Sequence, residues 1–536
     1  MIRNILVIIL LAGCIFGDEY HSHHKPSTVK KSSNVINEQE RTTKYWVNQA
    51  QDTLKKIVNK KLNTKNATNI IMFLGDGMSF STVAATRMYL GGEEKKLSFE
   101  EFEYTGFSKT YCVDAQVADS ACTSTAYLNG IKTNYEVIGL NAKATVADCD
   151  AQLDDKIWTE SILRWAQKSH KATGIVTTTR ITHASPAGGY AHVSERDWEN
   201  DHEVSLSGCD PNKVDDIAEQ LVYNVEGANF KVILGGGRAN FINQTEKDEE
   251  NNNGKRHDGK NLINVWKNER SKLGKAEYIW NKQQLDSLDY NNTEYLLGLF
   301  EHDHMRYNMD VKAQGLVLEP SLSDMTSAAI KMLQKEDGGY FLFIEGGMID
   351  QAHHYNYAQI SLDETKEFSD AIALARKMTN EEDTLIVVTA DHSHVFTYSG
   401  YPERGSNIFG AVEVSDIDEL PYATLSYANG PGFAHTFVDG KRVDPNTVGM
   451  DDPKFQYPAT VPREKDTHGG EDVAVYASGP MAHLFSGNYE QNTIPLIMAY
   501  IMKIGPYAAE EKSASCAIMP VFMLLLSMLI INKLIK

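Results

Sequence analysis

The stretch Tyr340-Phe341-Leu342-Phe343-Ile344-Glu345-Gly346-Gly347-Met348-Ile349-Asp350-Gln351-Ala352-His353-His354 carries two signals at once. Tyr340–Ile344 is a short apolar run of the kind that forms a buried strand. Behind it, Asp350 and His354 stand four apart, so on a helix they share one face and can grip one ion.

Similar runs recur at Ile70–Leu74, Thr173–Thr178, Lys231–Leu234, Leu385–Thr389 and Val473–Tyr476, with helical stretches between them. Strands alternating with helices predict an α/β fold with a mostly parallel sheet covered on both faces. Three runs lead into an acidic residue: Leu74-Gly75-Asp76, Ile344-Glu345 and Thr389-Ala390-Asp391. In an open α/β sheet the carboxyl ends of the strands gather into one crevice, where ligands bind. One strand ending in Asp is commonplace. Three, two of them with histidine close behind, point to a site.

Asp391-His392-Ser393-His394 adds an adjacent oxygen–nitrogen ligand pair, and Thr467-His468-Gly469-Gly470-Glu471-Asp472 a late histidine just before Val473. Mixed Asp/His sets with open positions suit hydrolytic zinc. The nucleophile candidate is Ser120, in Val117-Ala118-Asp119-Ser120-Ala121-Cys122-Thr123-Ser124-Thr125-Ala126. Small helix formers follow it, which puts its hydroxyl at a helix N-terminus, where the dipole and free N–H groups favour an alkoxide and a bound phosphate. A zinc ion can ionise such a serine without a histidine base. Gly235-Gly236-Gly237-Arg238 lacks the Lys-Ser/Thr pair of a phosphate loop and reads as a turn after a strand.

Composition narrows the partners. The 536 residues are 42% hydrophobic and 23% charged, with a net charge of −20. Such a surface repels nucleic acid. It also repels phosphorylated substrates, so an anion site needs local cations, which bound metals supply.

Residues 1–17 read as a secretory signal peptide, and 18–43 as a polar, loose arm. Residues 44–61 form an amphipathic helix set apart from the body, suited to pack on a partner subunit. Residues 400–466 lose the strand–helix alternation, which marks an inserted subdomain. At the end, Ser513-Ala514-Ser515 precedes an apolar tail from Cys516 to Ile531. This fits a lipid-anchor signal of the glycosylphosphatidylinositol type, with attachment near Ser513. A retained short membrane helix is the competing reading, and either one puts the catalytic body outside the cell. Asn66, Asn243 and Asn291 open glycosylation tripeptides. Outside the two ends, Cys112, Cys122, Cys149 and Cys209 allow two disulfides in any of three pairings.

Taken together, Asp76-Gly77-Met78, Asp119-Ser120, His183-Ala184-Ser185-Pro186-Ala187-Gly188, Glu345-Gly346-Gly347, Asp391-His392-Ser393-His394 and Thr467-His468-Gly469-Gly470-Glu471-Asp472 closely resemble the motifs of animal alkaline phosphatases, in order and spacing. The resemblance spans residues 44–507. It implies a three-layer α/β/α sandwich with a crown insertion (400–466) at a homodimer interface, hydrolysing phosphate monoesters with two Zn2+ and one Mg2+. It assigns Asp350, His354 and His468 to one zinc. Asp76, Asp391 and His392 hold the second, beside Ser120, and Asp76, Ser185 and Glu345 hold magnesium. Arg196 matches the phosphate-clamping arginine, whose planar fork suits two oxygens. A peripheral Ca2+ site matches Phe300, Glu301 and Glu319, with a fourth ligand near Glu249 or Glu250. Cys149–Cys209 matches a family disulfide.

There are departures. Ser120-Ala121-Cys122-Thr123 stands where vertebrate enzymes read Ser-Gly-Ala-Thr, and Cys122 either pairs with Cys112 or stays a buried thiol. Gln351 replaces a histidine usual in vertebrate members. The rival readings are a metal phosphodiesterase and an inactive surface receptor on the same scaffold. Arg196 favours a terminal phosphate over a diester, and no ligand or nucleophile is missing, as it would be in a dead relative.

Overall fold

Among the described residues, ten strands form the central sheet: β1 (Asn69–Gly75), β2 (Tyr104–Lys109), β3 (Ala172–Arg180), β4 (Val232–Gly236), β5 (Ala276–Ile279), β6 (Tyr295–Leu299), β7 (Tyr340–Gly346), β8 (Thr384–Thr389), β9 (Val473–Ser478) and β10 (Gly487–Glu490). The computed structural model describes residues 37–315 and 318–508. The expected leader, most of the arm, Ser513 and the apolar tail therefore lie outside the described residues.

The strand order is β10-β2-β9-β8-β1-β7-β3-β4-β6-β5. Every neighbouring pair is parallel except the two that involve β9, which runs against both β8 and β2. All six apolar runs are strands of this sheet, as the alternation predicts.

Alternate residues of the central strands bury into two separate cores. Ile70, Met72 and Leu74 of β1 join Phe341, Phe343, Leu385 and Val387 on one face. Ile71 and Phe73 join Leu342, Ile344, Ile386 and Val388 on the other. This is the period-two alternation of a strand, with both faces apolar because helices cover both. Helix Thr493–Met502 and helix Ser120–Asn129 close the first face. Helices Leu322–Leu333 and Ala358–Met378 close the second, through Met325, Ile330, Phe368 and Ile372. Each fully buried side chain of this kind contributes roughly 1.5–3 kcal/mol. The result is a three-layer α/β/α arrangement.

Between β8 and β9 the chain makes several short strands. Phe396–Tyr398 pairs antiparallel with Leu425–Gly430, which Ala459–Pro462 flanks in parallel. Ile408, Tyr427, Phe455 and Tyr457 of this segment pack with Ala85, Ala358 and Leu362 of the body helices in a third apolar cluster. Helix Thr43–Val58 buries none of its residues and leaves Trp46, Leu54 and Ile57 exposed. Among the described residues, no helix is long and apolar enough to cross a membrane.

Candidate active site

Strand register brings the acidic strand ends together. Leu74 of β1 pairs with Glu345 on one side and Thr389 on the other. Asp76 and Asp391 thus emerge side by side two residues further on, with Glu345 adjacent. The reversed direction of β9 matters here: the residues ahead of Val473 return to the carboxyl edge of the parallel strands, so His468 arrives at the same crevice. There a two-stranded bridge pairs His468 with His394. Helix Met348–His354 follows β7, and its first turn is anchored by Gly347 and Met348 N–H donating to Thr178 Oγ1 at 3.0 and 3.2 Å. That anchor aims Asp350 and His354 into the crevice.

Asp76, Glu345, Asp350, Asp391 and His392 are all at most 1% exposed. His354 Nε2 lies 3.3 Å from Asp350 Oδ2 and 3.3 Å from His468 Nε2. His392 Nε2 lies 3.1 Å from Asp391 Oδ2, 3.5 Å from Asp76 Oδ1 and 3.2 Å from Ser120 Oγ. Ser185 Oγ donates to Asp76 Oδ2 at 3.5 Å. Burial, reinforced by the charges of Asp391, Asp350 and Glu345, pushes the Asp76 carboxyl well above the ordinary carboxylate range. Burial also raises Glu345 to about 7 and Asp391 to about 6. Asp76 Oδ1 and Glu345 Oε1 are buried without a hydrogen-bond partner.

Such crowding of buried carboxylates is costly unless cations neutralise it. One donor set has the expected members, and a second gathers around Asp350 and His468 with His392 and His394 where His354 was expected. Asp76, Asp391 and His392 present ligand atoms within 4.8 Å of one another, and so do Asp350, His392, His394 and His468. The orphaned carboxylate oxygens and the mixed oxygen–nitrogen donors fit divalent metal ions.

Ser120 begins a ten-residue helix whose every member is buried, which its small side chains permit. The free N–H groups anticipated at this helix start are not free. Asp119 caps it, Oδ2 accepting from Ala121 N–H at 3.1 Å and Oδ1 from Cys122 N–H at 3.2 Å. The same carboxylate accepts from Arg196 Nη1 at 3.0 Å. Those two amides are therefore already satisfied by Asp119 and are not free donors for an anion. Arg196 Nη2 also meets His183 Nε2 at 3.1 Å, and burial, with Arg196 beside it, keeps that imidazole neutral. A cleft of about 600 Å³ opens over this floor, lined by Asp119, Arg196, Gln351, His354 and His468 among others.

The structure pairs Cys112 with Cys122, tying helix Ser120–Asn129 to the loop after β2, and Cys149 with Cys209. Asn66 and Asn291 are exposed and Asn243 is half-buried. Around the expected calcium residues, Glu301 and Glu319 converge on Arg306 Nε at 3.0 and 3.1 Å. Phe300 is buried beside them, and Glu249 and Glu250 are both engaged by Arg238 instead.

The sequence profile of a known family, described as alkaline phosphatase, matches residues 67–504. The chain belongs to the alkaline phosphatase family. A membrane-bound alkaline phosphatase of Bombyx mori is 42% identical over 507 residues, covering 92% of each chain. The tissue-nonspecific alkaline phosphatase of Homo sapiens is 43% identical over 503 residues, covering 91% of this chain and 93% of its own. Among solved structures, the Thermus thermophilus alkaline phosphatase superposes with a TM-score of 0.59 at 22% identity, covering 83% of this chain and 93% of that one. This chain is thus an alkaline phosphatase, an enzyme whose family activity is phosphate monoester hydrolysis.

Two buried residues of this alkaline phosphatase were not on the expected ligand list. His394 Nε2 meets Asp350 Oδ1 at 2.5 Å, and Asp466 Oδ1 joins His394 Nδ1 and His354 Nδ1 at 3.0 and 3.2 Å. His394 sits two residues beyond His392 and was visible as a motif. Nothing local singles out Asp466.

Proposed function

We propose that the chain hydrolyses phosphate monoesters at alkaline pH through a phosphoserine on Ser120, at a site holding two zinc ions and one magnesium ion. The observation that carries this reading is the placement of Ser120 Oγ, buried, 3.2 Å from His392 Nε2, on a helix whose Asp119 cap also holds Arg196.

Asp350, His354 and His468 would hold one zinc, Asp76, Asp391 and His392 the second, and Asp76, Ser185 and Glu345 the magnesium. Bound there, the metals would supply the positive charge that lets a serine hydroxyl and a water ionise and that offsets the leaving oxygen. The chain's own residues do the rest. Ser120 Oγ attacks phosphorus in line, and the ester oxygen departs on the opposite side, toward His354 and His468. Arg196 clamps two of the non-bridging oxygens, its orientation fixed by Asp119. Water then enters from the vacated face and cleaves the phosphoserine, returning the serine hydroxyl.

The wider reading is a secreted enzyme with a leader at 1–17, an arm at 18–43 and a catalytic body at 44–507 that includes a crown at 400–466. It is a homodimer, supported by the exposed apolar side chains of helix Thr43–Val58. Glycans sit on Asn66, Asn243 and Asn291, and a lipid at Ser513, within 508–536, holds the enzyme on the outer face of the membrane. Calcium at Phe300, Glu301 and Glu319 requires Arg306 to move away. The deciding experiment compares an aryl phosphate monoester with the matching diester, with metal analysis of the same preparation. Strong preference for the monoester with zinc and magnesium bound is expected; comparable diester cleavage, or full activity without zinc, would sink the reading.

A further inference from the structure

The loop that delivers Asp119 to the site has little to hold it. Residues 110–119 form no helix or strand, and all of 113–117 except Ala115 are exposed. Among the described residues, its apolar anchor is a cluster of three buried side chains, Cys112, Ala118 and Cys122, separate from the two cores that line the sheet. Its polar ties run to a second loop. Val113 N–H donates to the Thr133 carbonyl at 2.9 Å, and Asp114 Oδ1 accepts from Tyr135 N–H at 2.8 Å. Of the three anchoring residues, only Cys122 lies on helix Ser120–Asn129, so the Cys112–Cys122 bond cross-links loop to helix.

Asp119 does much from this loop. Its Oδ1 accepts from Cys122 and Glu136 N–H at 3.2 and 3.1 Å, and its Oδ2 from Ala121 N–H and Arg196 Nη1 at 3.1 and 3.0 Å. A carboxylate offers about four lone-pair positions, so all are in use. The Cys112 sulfur lies 4.0 Å from Oδ1, so both bonded cysteines flank the oxygen that does not meet Arg196. One residue back, the Ala118 carbonyl accepts from His468 Nδ1 at 2.8 Å. We infer that the Cys112–Cys122 disulfide is a positioning element of the reaction: it fixes the Asp119 carboxylate so that Arg196 meets phosphate already aligned. The inference rests on the reading of Arg196 as the phosphate clamp. A cross-link removes conformations that the loop would otherwise sample, and a group held in its bound orientation binds more tightly because less order is lost on binding. Without the bond the carboxylate loses its fixed place, and the guanidinium it holds follows.

The test uses full-length enzyme with saturating zinc and magnesium, so that His468 stays ligated, and the double variant Cys112→Ala, Cys122→Ala. A companion, Cys112→Val with Cys122→Ala, keeps more of the apolar volume without the bond. Each change is also made together with Arg196→Ala, and the inhibition constant of orthophosphate is measured beside bound zinc. A hydrogen bond to a charged group is worth roughly tenfold or more in affinity. Opening the cross-link should therefore weaken orthophosphate about tenfold with Arg196 present. With Arg196→Ala already in place the same change should cost less than about twofold, because the two act through one interaction. A merely structural bond predicts equal losses in both backgrounds, and that result overturns the inference. So does an unchanged inhibition constant in both cysteine variants, or failure of both to fold, which would assign the bond to stability alone. Arg196→Ala that binds orthophosphate as tightly as wild type would instead remove the clamp reading, and the inference with it.

Discussion

His354 and His468 bring their Nε2 atoms to 3.3 Å of each other, while His354 Nδ1 donates to the Asp466 carbonyl at 3.0 Å and His468 Nδ1 to the Ala118 carbonyl at 2.8 Å. A carbonyl only accepts, so Nδ1 carries the proton in each neutral ring and both Nε2 atoms present lone pairs. Facing lone pairs repel unless a cation lies between them; without metal that cation is a proton, which Asp350 and Asp466 hold on His354 against the cost of burial, raising its pKa to about 10, and a divalent ion takes its place. Removing zinc with a chelator should therefore abolish turnover and lower the melting temperature, and restoring zinc should recover both. Parallel measurements of activity, bound metal and melting temperature check this. A metal-free protein as stable as the loaded one would show that the rings need no ion.

Ser120 has no competing role in helix capping, because Asp119 performs that task. Ser120→Ala should leave the helix and the metals in place and remove only the phosphate acceptor. Turnover should drop about a thousandfold or more. Acid-quenched wild-type enzyme should yield a peptide phosphorylated at position 120, read by mass spectrometry. Near-normal turnover of the variant with its zinc verified would exclude this serine as the nucleophile.

The fold and the acidic crevice were legible for different reasons. Ile70–Leu74, Tyr340–Ile344 and Leu385–Thr389 announce buried strands by composition alone, and Asp76, Glu345 and Asp391 announce the crevice because parallel strands end at one edge. Asp466 was illegible because its partners, His354 and His394, lie 112 and 72 positions away, and only the bridge between His468 and His394 brings them together. The free amides expected at Ser120 failed for a local reason: the residue before a helix is the one whose carboxylate reaches back to its first N–H groups. Arg306 between Glu301 and Glu319 was invisible for a third reason, since a pair of carboxylates reads alike whether a metal or a guanidinium joins them.

Gly77 occupies φ +66°, and a Cβ there would lie 2.4 Å from His394 Cδ2 and 3.2 Å from Asp350 Oδ1. Its N–H also donates to Asp391 Oδ1 at 3.0 Å. Gly77→Ala should cost about 1–2 kcal/mol in backbone strain alone, and should also push His394 off Asp350. The expected outcome is a lower melting temperature together with weaker zinc retention during dialysis. A variant that loses stability but holds zinc as tightly as wild type would mean that His394 does not position Asp350.

His192 offers a pH test away from the metals. Burial lowers its pKa from 6.5 to about 4, against the opposing pull of the Thr159 carbonyl, to which Nε2–H donates at 3.0 Å. The ring stacks on Trp158 with centroids 4.3 Å apart, and its Nδ1 is buried with no acceptor for a second proton. The sign follows from proton counts. Between pH 6.5 and about 4 the unfolded chain binds a proton that the folded one refuses, so stability falls as pH drops through that window and the contribution levels off below it. One pKa unit is about 1.4 kcal/mol, so from pH 7.5 to pH 5 this residue should withdraw about 2 kcal/mol. His192→Gln keeps a donor for Thr159 and cannot titrate. Urea unfolding of both proteins at the two pH values isolates the effect, since other titrating groups act on both alike. The stability of wild type relative to the variant should fall by about 2 kcal/mol on acidification; a difference that stays constant would show that the folded protein protonates His192 as readily as the unfolded chain does.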